Sequence, residues 1–242
     1  MNGKQMNILI FGATSGIGRA IAKLYVSKGH QVAITGRRQE KLDEIKNEHP
    51  DLYFTINHDI RKTDETEEVI KKTHKHFGKI DLIIVNAGIG KYNLELDWEI
   101  CESVLKTNVL GITRALTASF RYFKEQGKGH LVNVSSVASL LGSGINPSYN
   151  ASKAYQANFV EGLWIKAQKS KRTKITVTDI RPGFVDTKLV EGDVFWKASV
   201  DKAAKQIISA IHKKKKVAYI TKRWQLVALA IKMMPPFILK RF

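Results

Sequence analysis

The sequence has a single cysteine, Cys101, among its 242 residues. One thiol cannot close a disulfide within the chain, and it excludes zinc sites built from several cysteines. The seven histidines show no metal-ligand spacing either. Residues 1–11 lack the long apolar run of a secretory signal, and the scarcity of thiols fits a reducing compartment. We therefore expect a cytoplasmic protein without a metal centre.

Acidic residues are also scarce, because 22 Asp and Glu stand against 40 Lys and Arg, a net charge of +18. The excess is uneven: residues 171–242 hold 17 basic and 5 acidic side chains, a net charge of +12. Such a balance predicts an anionic partner, which leaves nucleic acid, an acidic lipid surface and a phosphorylated cofactor open. No zinc-finger or RRM motif is present, so we expect no nucleic-acid binding.

Hydrophobic residues make up 43% of the chain, enough for one sizeable core. Short apolar runs alternate with stretches of helical periodicity. The runs predict strands at 7–11, 31–35, 52–56, 80–85, 130–134, 174–180 and 216–220. The periodic stretches predict helices at 16–28, 38–48, 64–77, 96–124, 149–169 and 199–212. This order predicts an α/β fold with a doubly wound, seven-stranded parallel sheet, helices on both faces and a ligand at the carboxyl ends of the strands.

A glycine-rich segment follows the first predicted strand and opens the first helix. Gly12 permits a tight turn, Gly16 lets the backbone approach a phosphate, and Gly18 allows close packing of helix on strand. Free N–H groups at the helix start then face an anion, so the segment predicts a dinucleotide site. A glycine-rich turn without a ligand remains the alternative.

The spacing of this segment, G-x3-G-x-G, resembles the glycine motif of the short-chain dehydrogenase/reductase family. Further motifs resemble that family in the expected order: Asn86-Ala87-Gly88, Asn108, Ser135-Ser136, Tyr149-x3-Lys153 and the Pro182–Thr187 segment. The resemblance covers roughly residues 6–220. It implies one seven-stranded Rossmann domain over residues 1–220, with 221–242 as an extension. It also implies an oxidoreductase that transfers hydride between a nicotinamide cofactor and a carbonyl or alcohol, and a homodimer or homotetramer.

The residues after the second strand select the cofactor in the family. Gly36 stands where an acidic residue would bind the ribose of NAD, and Arg37 and Arg38 can pair with a 2′-phosphate. We therefore predict NADP(H), although a solvated basic pair would read the same way. The resemblance assigns further cofactor contacts to Thr14, Ser15, Ile17, Asp59, Ile60, Asn86, Ala87, Gly88, Tyr149, Lys153, Pro182, Gly183, Val185 and Thr187. An exposed loop aspartate is the alternative reading of Asp59.

Tyr149 and Lys153 share one helix face, so the ammonium of Lys153 is expected to lower the pKa of the phenol, together with an oxidised nicotinamide. The pair alone would usually be structural. The resemblance makes Tyr149 the proton donor, Ser136 the group that holds the carbonyl oxygen, and Lys153 a ligand of the nicotinamide ribose. It places Asn108 at a local helix distortion, where it supports a proton relay through water. The alternative is an NADP(H)-binding regulator or scaffold without turnover.

Two apolar segments bear on the substrate and on membrane contact. Residues 188–196 resemble the segment that covers the substrate in the family. Apolar side chains in this segment and after the serine pair predict a hydrophobic ketone, aldehyde or oxo-lipid as substrate, with ordinary core packing as the alternative. These side chains are Leu189, Val194, Phe195 and Trp196, with Leu140, Leu141 and Ile145. Residues 221–242 place an apolar run between basic clusters and are too short for a comfortable span. They predict peripheral contact with anionic membrane, a cover over the cleft or a subunit contact.

Overall fold

The computed structural model describes residues 4–187 and 196–232, with side chains up to residue 230. The strands are β1 (Asn7–Phe11), β2 (Gln31–Gly36), β3 (Tyr53–Asn57), β4 (Leu82–Val85), β5 (Lys128–Val134), β6 (Lys174–Pro182) and β7 (Val217–Ile220). The helices are α1 (Gly16–Val26), α2 (Gln39–Glu48), α3 (Thr66–Phe77), α4 (Trp98–Val104), α5 (Ile112–Gln126), α6 (Pro147–Gln168), α7 (Val200–His212) and α8 (Arg223–Lys232).

All strand pairs are parallel, in the order β3-β2-β1-β4-β5-β6-β7. Side chains of β1 alternate between two apolar cores: Ile8 and Ile10 pack with α1, α2 and α7, whereas Leu9 and Phe11 pack with α3, α5 and α6. Burial on both faces explains why the strands are continuous apolar runs. The predicted doubly wound, seven-stranded sheet is confirmed.

The chain reverses its direction of travel across the sheet at β1, which lies between β2 and β4. Loops after β1 and β4 therefore leave the same edge on opposite faces, which opens a crevice at the carboxyl ends of the strands. The predicted motifs follow their strands at this same edge of the sheet.

The helix predicted over 96–124 runs without a break from Trp98 to Gln126, but it is not α-helical throughout. It consists of α4, a π-helical segment (Leu105–Gly111) and α5. The π-helical segment packs closely on the loop after β3, since a Cβ on Gly111 would lie 2.5 Å from the carbonyl oxygen of Ile60. Such contacts come from distant parts of the chain, so helical periodicity alone does not reveal the interruption.

The last described helix, α8, packs on the domain with one face and exposes the other. Trp224 and Ala228 are buried, whereas Leu226 and Leu229 are 71% and 57% exposed. No helix among the described residues is long and apolar enough to cross a membrane. Residues 233–242 of the predicted extension lie outside the described part of the chain.

Candidate active site

The glycine-rich turn after β1 is shaped by close backbone packing. Gly12 adopts φ +81°, and a Cβ there would come within 2.6 Å of the Cα of Ala87. A Cβ on Gly18 would overlap the carbonyl oxygen of Gly12, which also accepts a 2.7 Å hydrogen bond from Nδ2 of Asn86. The side chain of Ser15, at the start of α1, makes no capping hydrogen bond. The first N–H groups of α1, including that of Ile17, therefore have no side-chain cap and suit a phosphate.

The end of β2 has no room for a side chain at position 36. A Cβ on Gly36 would overlap the methyl group of Thr14. Nη2 of Arg38 donates to Oγ1 of Thr14 at 3.1 Å and to Oγ of Ser15 at 3.4 Å, so its guanidinium lies beside the start of α1. The side chain of Arg37 is exposed next to it. Arg38 thus borders the glycine-rich turn, and the charge of Arg37 acts on Asp59.

Asp59 and Ile60 follow β3 on the same edge. The Asp59 carboxylate accepts hydrogen bonds from Nε and from the backbone N–H of Arg61, both to Oδ1, at 3.1 and 3.0 Å. Burial acts to raise the pKa of Asp59, but the bonds from Arg61 outweigh it and leave this pKa below its usual value. Asp59 is therefore an ion-paired carboxylate, and its contact with adenine stays a prediction.

Asn86, Ala87 and Gly88 connect the glycine-rich turn to the catalytic candidates. Asn86 and Ala87 contact Gly12 as described. A Cβ on Gly88 would lie 3.4 Å from Nζ of Lys153 and 3.5 Å from Oδ1 of Asn108. This short segment therefore borders both the predicted cofactor turn and the Lys153 ammonium.

Tyr149 lies in the first turn of α6, which begins earlier than the predicted residue 149. The helix starts at Pro147 because Oδ1 of Asn146 accepts a hydrogen bond from the Tyr149 backbone N–H, and proline suits the first helical position. Lys153 follows one turn later, with Nζ 5.8 Å from the centroid of the Tyr149 ring. The capped helix start thus fixes both side chains.

Ser136 lies beside Tyr149 at the end of β5. Its Oγ accepts a 3.1 Å hydrogen bond from the Ala138 N–H and lies 3.4 Å from the Pro182 carbonyl oxygen. A hydrogen bond from Ser136 acts to lower the pKa of Tyr149. Ser135 instead donates to the Ile180 carbonyl, away from this group. The structure therefore places Ser136, not Ser135, at the phenol.

Burial has the largest effect on the pKa values of Tyr149 and Lys153, the two candidate residues on α6. It raises the pKa of Tyr149 despite the bond from Ser136, and it lowers the pKa of Lys153 to about 8, although the charge of Asp179 acts in the opposite direction. In the chain alone, loss of hydration therefore sets the pKa of Tyr149, whereas the expected lowering by Lys153 together with an oxidised nicotinamide concerns the cofactor complex and stays a prediction. At pH 7 Tyr149 carries its proton and Lys153 is mostly charged.

Asn108 is fully buried in the π-helical segment, so the distortion expected at this residue is present. Its amide bonds both backbone groups of Ile89: Oδ1 accepts at 2.9 Å and Nδ2 donates at 2.8 Å. Nδ2 also lies 3.1 Å from Oγ of Ser152, which donates to the Tyr149 carbonyl. Asn108 therefore ties the loop after β4 to α6.

Two buried residues escaped the sequence interpretation. Gln156 lies one turn after Lys153 and bonds both Lys153 and the Asn108 carbonyl. Asp179 on β6 pairs with Arg181 at 2.7 Å and acts on Lys153 through its charge. The helical spacing of Lys153 and Gln156 could have indicated that Gln156 lies near the ammonium. The alternation of side chains along β6 gave no such indication for Asp179.

The Pro182–Thr187 segment lies against the glycine-rich turn and against α8. A Cβ on Gly16 would lie 3.4 Å from Cγ2 of Thr187, and Val185 is buried. A Cβ on Gly183 would overlap the indole of Trp224. Of the predicted lid, Leu189, Val194 and Phe195 lie outside the described residues, and Trp196 is 39% exposed. Ile145 is exposed, and Leu140 and Leu141 are half-buried, so these three are not core residues.

The arrangement brings a phenol, a hydroxyl and a buried ammonium together at the carboxyl ends of the strands. The family model of short chain dehydrogenases matches residues 6–198, which is most of the chain. This chain belongs to the short-chain dehydrogenase family. It is accordingly an oxidoreductase of the class that acts on CH–OH groups.

Curated relatives of this short-chain dehydrogenase are oxidoreductases. A Myxococcus xanthus protein described as an uncharacterized oxidoreductase is 34% identical over 192 residues, covering 77% of this chain and 75% of that protein. An Escherichia coli NADP-dependent 3-hydroxy acid dehydrogenase is 32% identical over 187 residues, covering 74% and 73%. These relatives agree on the reaction class.

Solved structures agree on the fold of this short-chain dehydrogenase. A short-chain dehydrogenase from Streptomyces avermitilis superposes with a TM-score of 0.82 at 25% identity, covering 95% of this chain and 92% of that one. A Burkholderia phymatum short-chain dehydrogenase/reductase in complex with NAD gives a TM-score of 0.83 at 18% identity, covering 93% and 92%. One relative is thus named for NADP and one fold neighbour holds NAD, so membership of the family leaves the cofactor open.

Proposed function

We propose that this protein is an NADP(H)-dependent oxidoreductase that transfers hydride between NADPH and a carbonyl or alcohol substrate. The observation that carries the proposal is the contact of Ser136 with Tyr149, one helical turn from the buried Lys153. Gly88 links this group to the glycine-rich turn, so the proton donor and the phosphate-binding backbone border one crevice. A binding-only protein has no need for a buried lysine beside a phenol.

The choice of NADP(H) is supported by the end of β2. An acidic side chain at position 36 would overlap Thr14, so the carboxylate that binds the ribose of NAD has no place here. Arg38 is already held beside the start of α1 by Thr14 and Ser15, and Arg37 is exposed next to it. A guanidinium matches a phosphate in both charge and geometry. The E. coli relative, named as NADP-dependent, points the same way.

The side chains divide the reaction between them. NADPH, when bound, supplies the hydride. Ser136 holds the substrate oxygen, and Tyr149, protonated at pH 7, donates its Oη proton to the developing alkoxide. Lys153 stabilises the phenolate left on Tyr149, because its ammonium lies 5.8 Å from the ring and remains mostly charged at pH 7. The proposed cofactor contacts at Pro182, Gly183, Val185 and Thr187 would orient the nicotinamide ring.

The substrate is proposed to be a hydrophobic ketone, aldehyde or oxo-lipid. Partly exposed apolar side chains lie after Ser136 and after Pro182; they are Leu140, Leu141, Ile145 and Phe184. The E. coli relative acts, by its name, on 3-hydroxy acids, which adds an oxo acid to the range worth testing. Loss of NADPH absorbance should be followed with ketones, aldehydes, oxo-steroids and 3-oxo acids.

Tyr149→Phe tests the proposal against a non-catalytic, cofactor-binding role. The variant lacks the hydroxyl that donates the proton, so turnover should fall by at least about a thousandfold. NADPH binding, measured by the fluorescence of the bound dihydronicotinamide, should remain. Tyr155→Phe, on the same helix but exposed, is the matched control. Wild-type protein that binds NADPH and turns over nothing on the panel would instead favour the regulator or scaffold.

Association into a homodimer or homotetramer is also proposed. Leu110 and Tyr155, on the π-helical segment and α6, are 59% and 40% exposed. Together with Val109 they border a surface hollow of about 520 Å³. Light scattering of wild type and of Leu110→Asp should show loss of the assembly in the variant; an unchanged mass would contradict this placement.

Contact of the tail with anionic membrane is the last proposal of this set. Leu226 and Leu229 are exposed three residues apart on α8, and Lys222 and Arg223 precede them. An apolar helix face flanked by cations suits an anionic lipid surface. Co-sedimentation with phosphatidylserine vesicles should be lost on removal of residues 222–242, and unchanged co-sedimentation would eliminate the proposal.

A further inference from the structure

Gln156 occupies the space between the Lys153 ammonium and the backbone carbonyl of Asn108. Its side chain is 1% exposed. Oε1 accepts a hydrogen bond from Nζ of Lys153 at 3.2 Å, and Nε2 donates to the Asn108 carbonyl at 2.8 Å. An ammonium has only donors and a carbonyl only acceptors, so the amide orientation is set by its neighbours. Gln156 thus bridges the two groups within α6 and the π-helical segment.

We infer that Gln156 is a positioning residue that holds the Lys153 ammonium in place by bridging it to the Asn108 carbonyl. The inference rests on the proposed function, in which Lys153 stabilises the Tyr149 phenolate. Lys153 has a long, flexible side chain, and a second bond, from Nζ to the Val134 carbonyl at 3.1 Å, completes its anchoring. Two fixed acceptors define where the charge stands relative to the Tyr149 ring.

The bridge does not exclude the water relay expected at Asn108. The Asn108 carbonyl accepts one hydrogen bond from Gln156, and a carbonyl oxygen has two lone pairs, so it can still accept from a water. A carboxamide N–H does not release its proton at neutral pH, so Gln156 holds the ammonium in place and does not itself carry a proton.

The surroundings of Lys153 should make its pKa sensitive to the loss of a hydrogen bond from Gln156. The titratable groups that face it are Tyr149 on α6 and Asp179 on β6; β5 contributes the neutral Val134 carbonyl, and the loop after β4 contributes Gly88. Burial already lowers the pKa of Lys153 to about 8. Loss of an acceptor from the ammonium should therefore register as a further change in its titration.

The experiment titrates Lys153 in the ligand-free protein by NMR of ¹³C-labelled lysine, with the signal assigned from its loss in Lys153→Arg. Gln156→Leu removes both bonds, and the acid dissociation constant of Lys153 should rise about tenfold, as expected for one hydrogen bond to a charged group. Gln156→Glu keeps the acceptor and adds a negative charge, so this constant should fall about tenfold. Gln168→Leu, an exposed position on α6, is the matched control and should change nothing.

Turnover gives a second readout. With a substrate from the panel, Gln156→Leu should lower kcat about tenfold, leave the KM for substrate nearly unchanged, and move the alkaline limb of the pH profile to lower pH. Gln156→Glu should move that limb to higher pH, and it carries the test if the leucine variant does not fold. Identical Lys153 titrations in wild type and both variants would overturn the inference. A wild type without turnover would instead overturn the proposed function, and the titration would still be decisive for Gln156.

Discussion

The indole of Trp224 lies against Gly183 so closely that a Cβ on this glycine would overlap Nε1 and Cε2. Phe184 adds an edge-on contact, with its ring centroid 5.3 Å from that of Trp224. α8 is therefore anchored on the segment proposed to hold the nicotinamide. A residue near the end of the chain thus supports a loop that belongs to the proposed cofactor site.

Gly183→Ala should destabilise the protein by about 1–3 kcal/mol, because the new methyl group forces Trp224 out of its place. We also expect a higher KM for NADPH, since the indole supports the proposed cofactor segment. Urea unfolding and steady-state kinetics measure the two effects. Gly162→Ala on α6 is the matched control: its Cβ meets nothing within 4 Å, and it should stabilise the helix by about 0.5–1 kcal/mol. Equal stabilities of Gly183→Ala and wild type would contradict the predicted clash.

Arg38→Ala should raise the KM for NADPH about 10- to 100-fold and leave the KM for NADH nearly unchanged. Only NADPH carries the phosphate that the guanidinium is proposed to bind, and a charge-assisted bond accounts for a change of this size. Initial rates with each cofactor at fixed substrate give the comparison. Lys41→Ala removes an exposed cation of α2 that is paired with Glu44, and it should affect neither constant. An equal loss with both cofactors would assign Arg38 a structural role instead.

The sheet could be predicted from sequence because its signal is local. β1 is bounded as expected, since each of its residues is apolar or buried and the glycine turn follows at once. The π-helical segment inside the helix predicted over 96–124 has no local signal, and only the family resemblance indicated a distortion at Asn108. Asn108 is held by the backbone of Ile89, nineteen positions earlier, and the π-helical segment packs on Ile60. No periodicity in the local sequence encodes such contacts.

In the candidate site, too, local relationships could be predicted from sequence and contacts between distant elements could not. Tyr149 and Lys153 are related by one helical turn, so their common face followed from spacing. The bridge made by Gln156 needs the Asn108 carbonyl from another element, and the cover over Gly183 needs Trp224 from 41 positions further on. The net charge of +18 alone does not identify an anion, whereas the position of Arg37 and Arg38 after the second strand predicts a 2′-phosphate, and the structure holds Arg38 beside the glycine-rich turn.

His130 should make the protein less stable in mild acid. Burial, with the nearby charges of Lys214 and His212, lowers the pKa of His130 to about 4, against 6.5 for an ordinary histidine. Between these values the unfolded chain binds the proton and the folded chain does not, so stability falls as the pH drops from 6.5 to 4, by up to about 3 kcal/mol. Urea unfolding at several pH values measures the slope.

The contribution of His130 is isolated by His130→Gln, which can keep the 2.8 Å hydrogen bond of Nε2 to Oγ1 of Thr178. This variant should lose less stability than wild type over the same pH interval. His49→Gln, at an exposed position, should keep the wild-type slope. Parallel slopes for wild type and His130→Gln would assign the acid sensitivity to other groups.

Asn108→Ala should lower the free energy of unfolding by about 3 kcal/mol. It removes a fully buried amide and leaves both backbone groups of Ile89 without their partners, each of which costs about 1–3 kcal/mol when buried. Asn108→Asp separates the two bonds: the remaining oxygen can accept from the Ile89 N–H, but an ionised carboxylate cannot donate to the Ile89 carbonyl. Its loss should therefore grow as the pH rises through the titration of the new carboxyl group. Asn57→Ala, whose amide bonds Gln39 at the surface, is the control and should cost less than about 1 kcal/mol. A loss of that small size in Asn108→Ala would show that the π-helical segment does not depend on this amide.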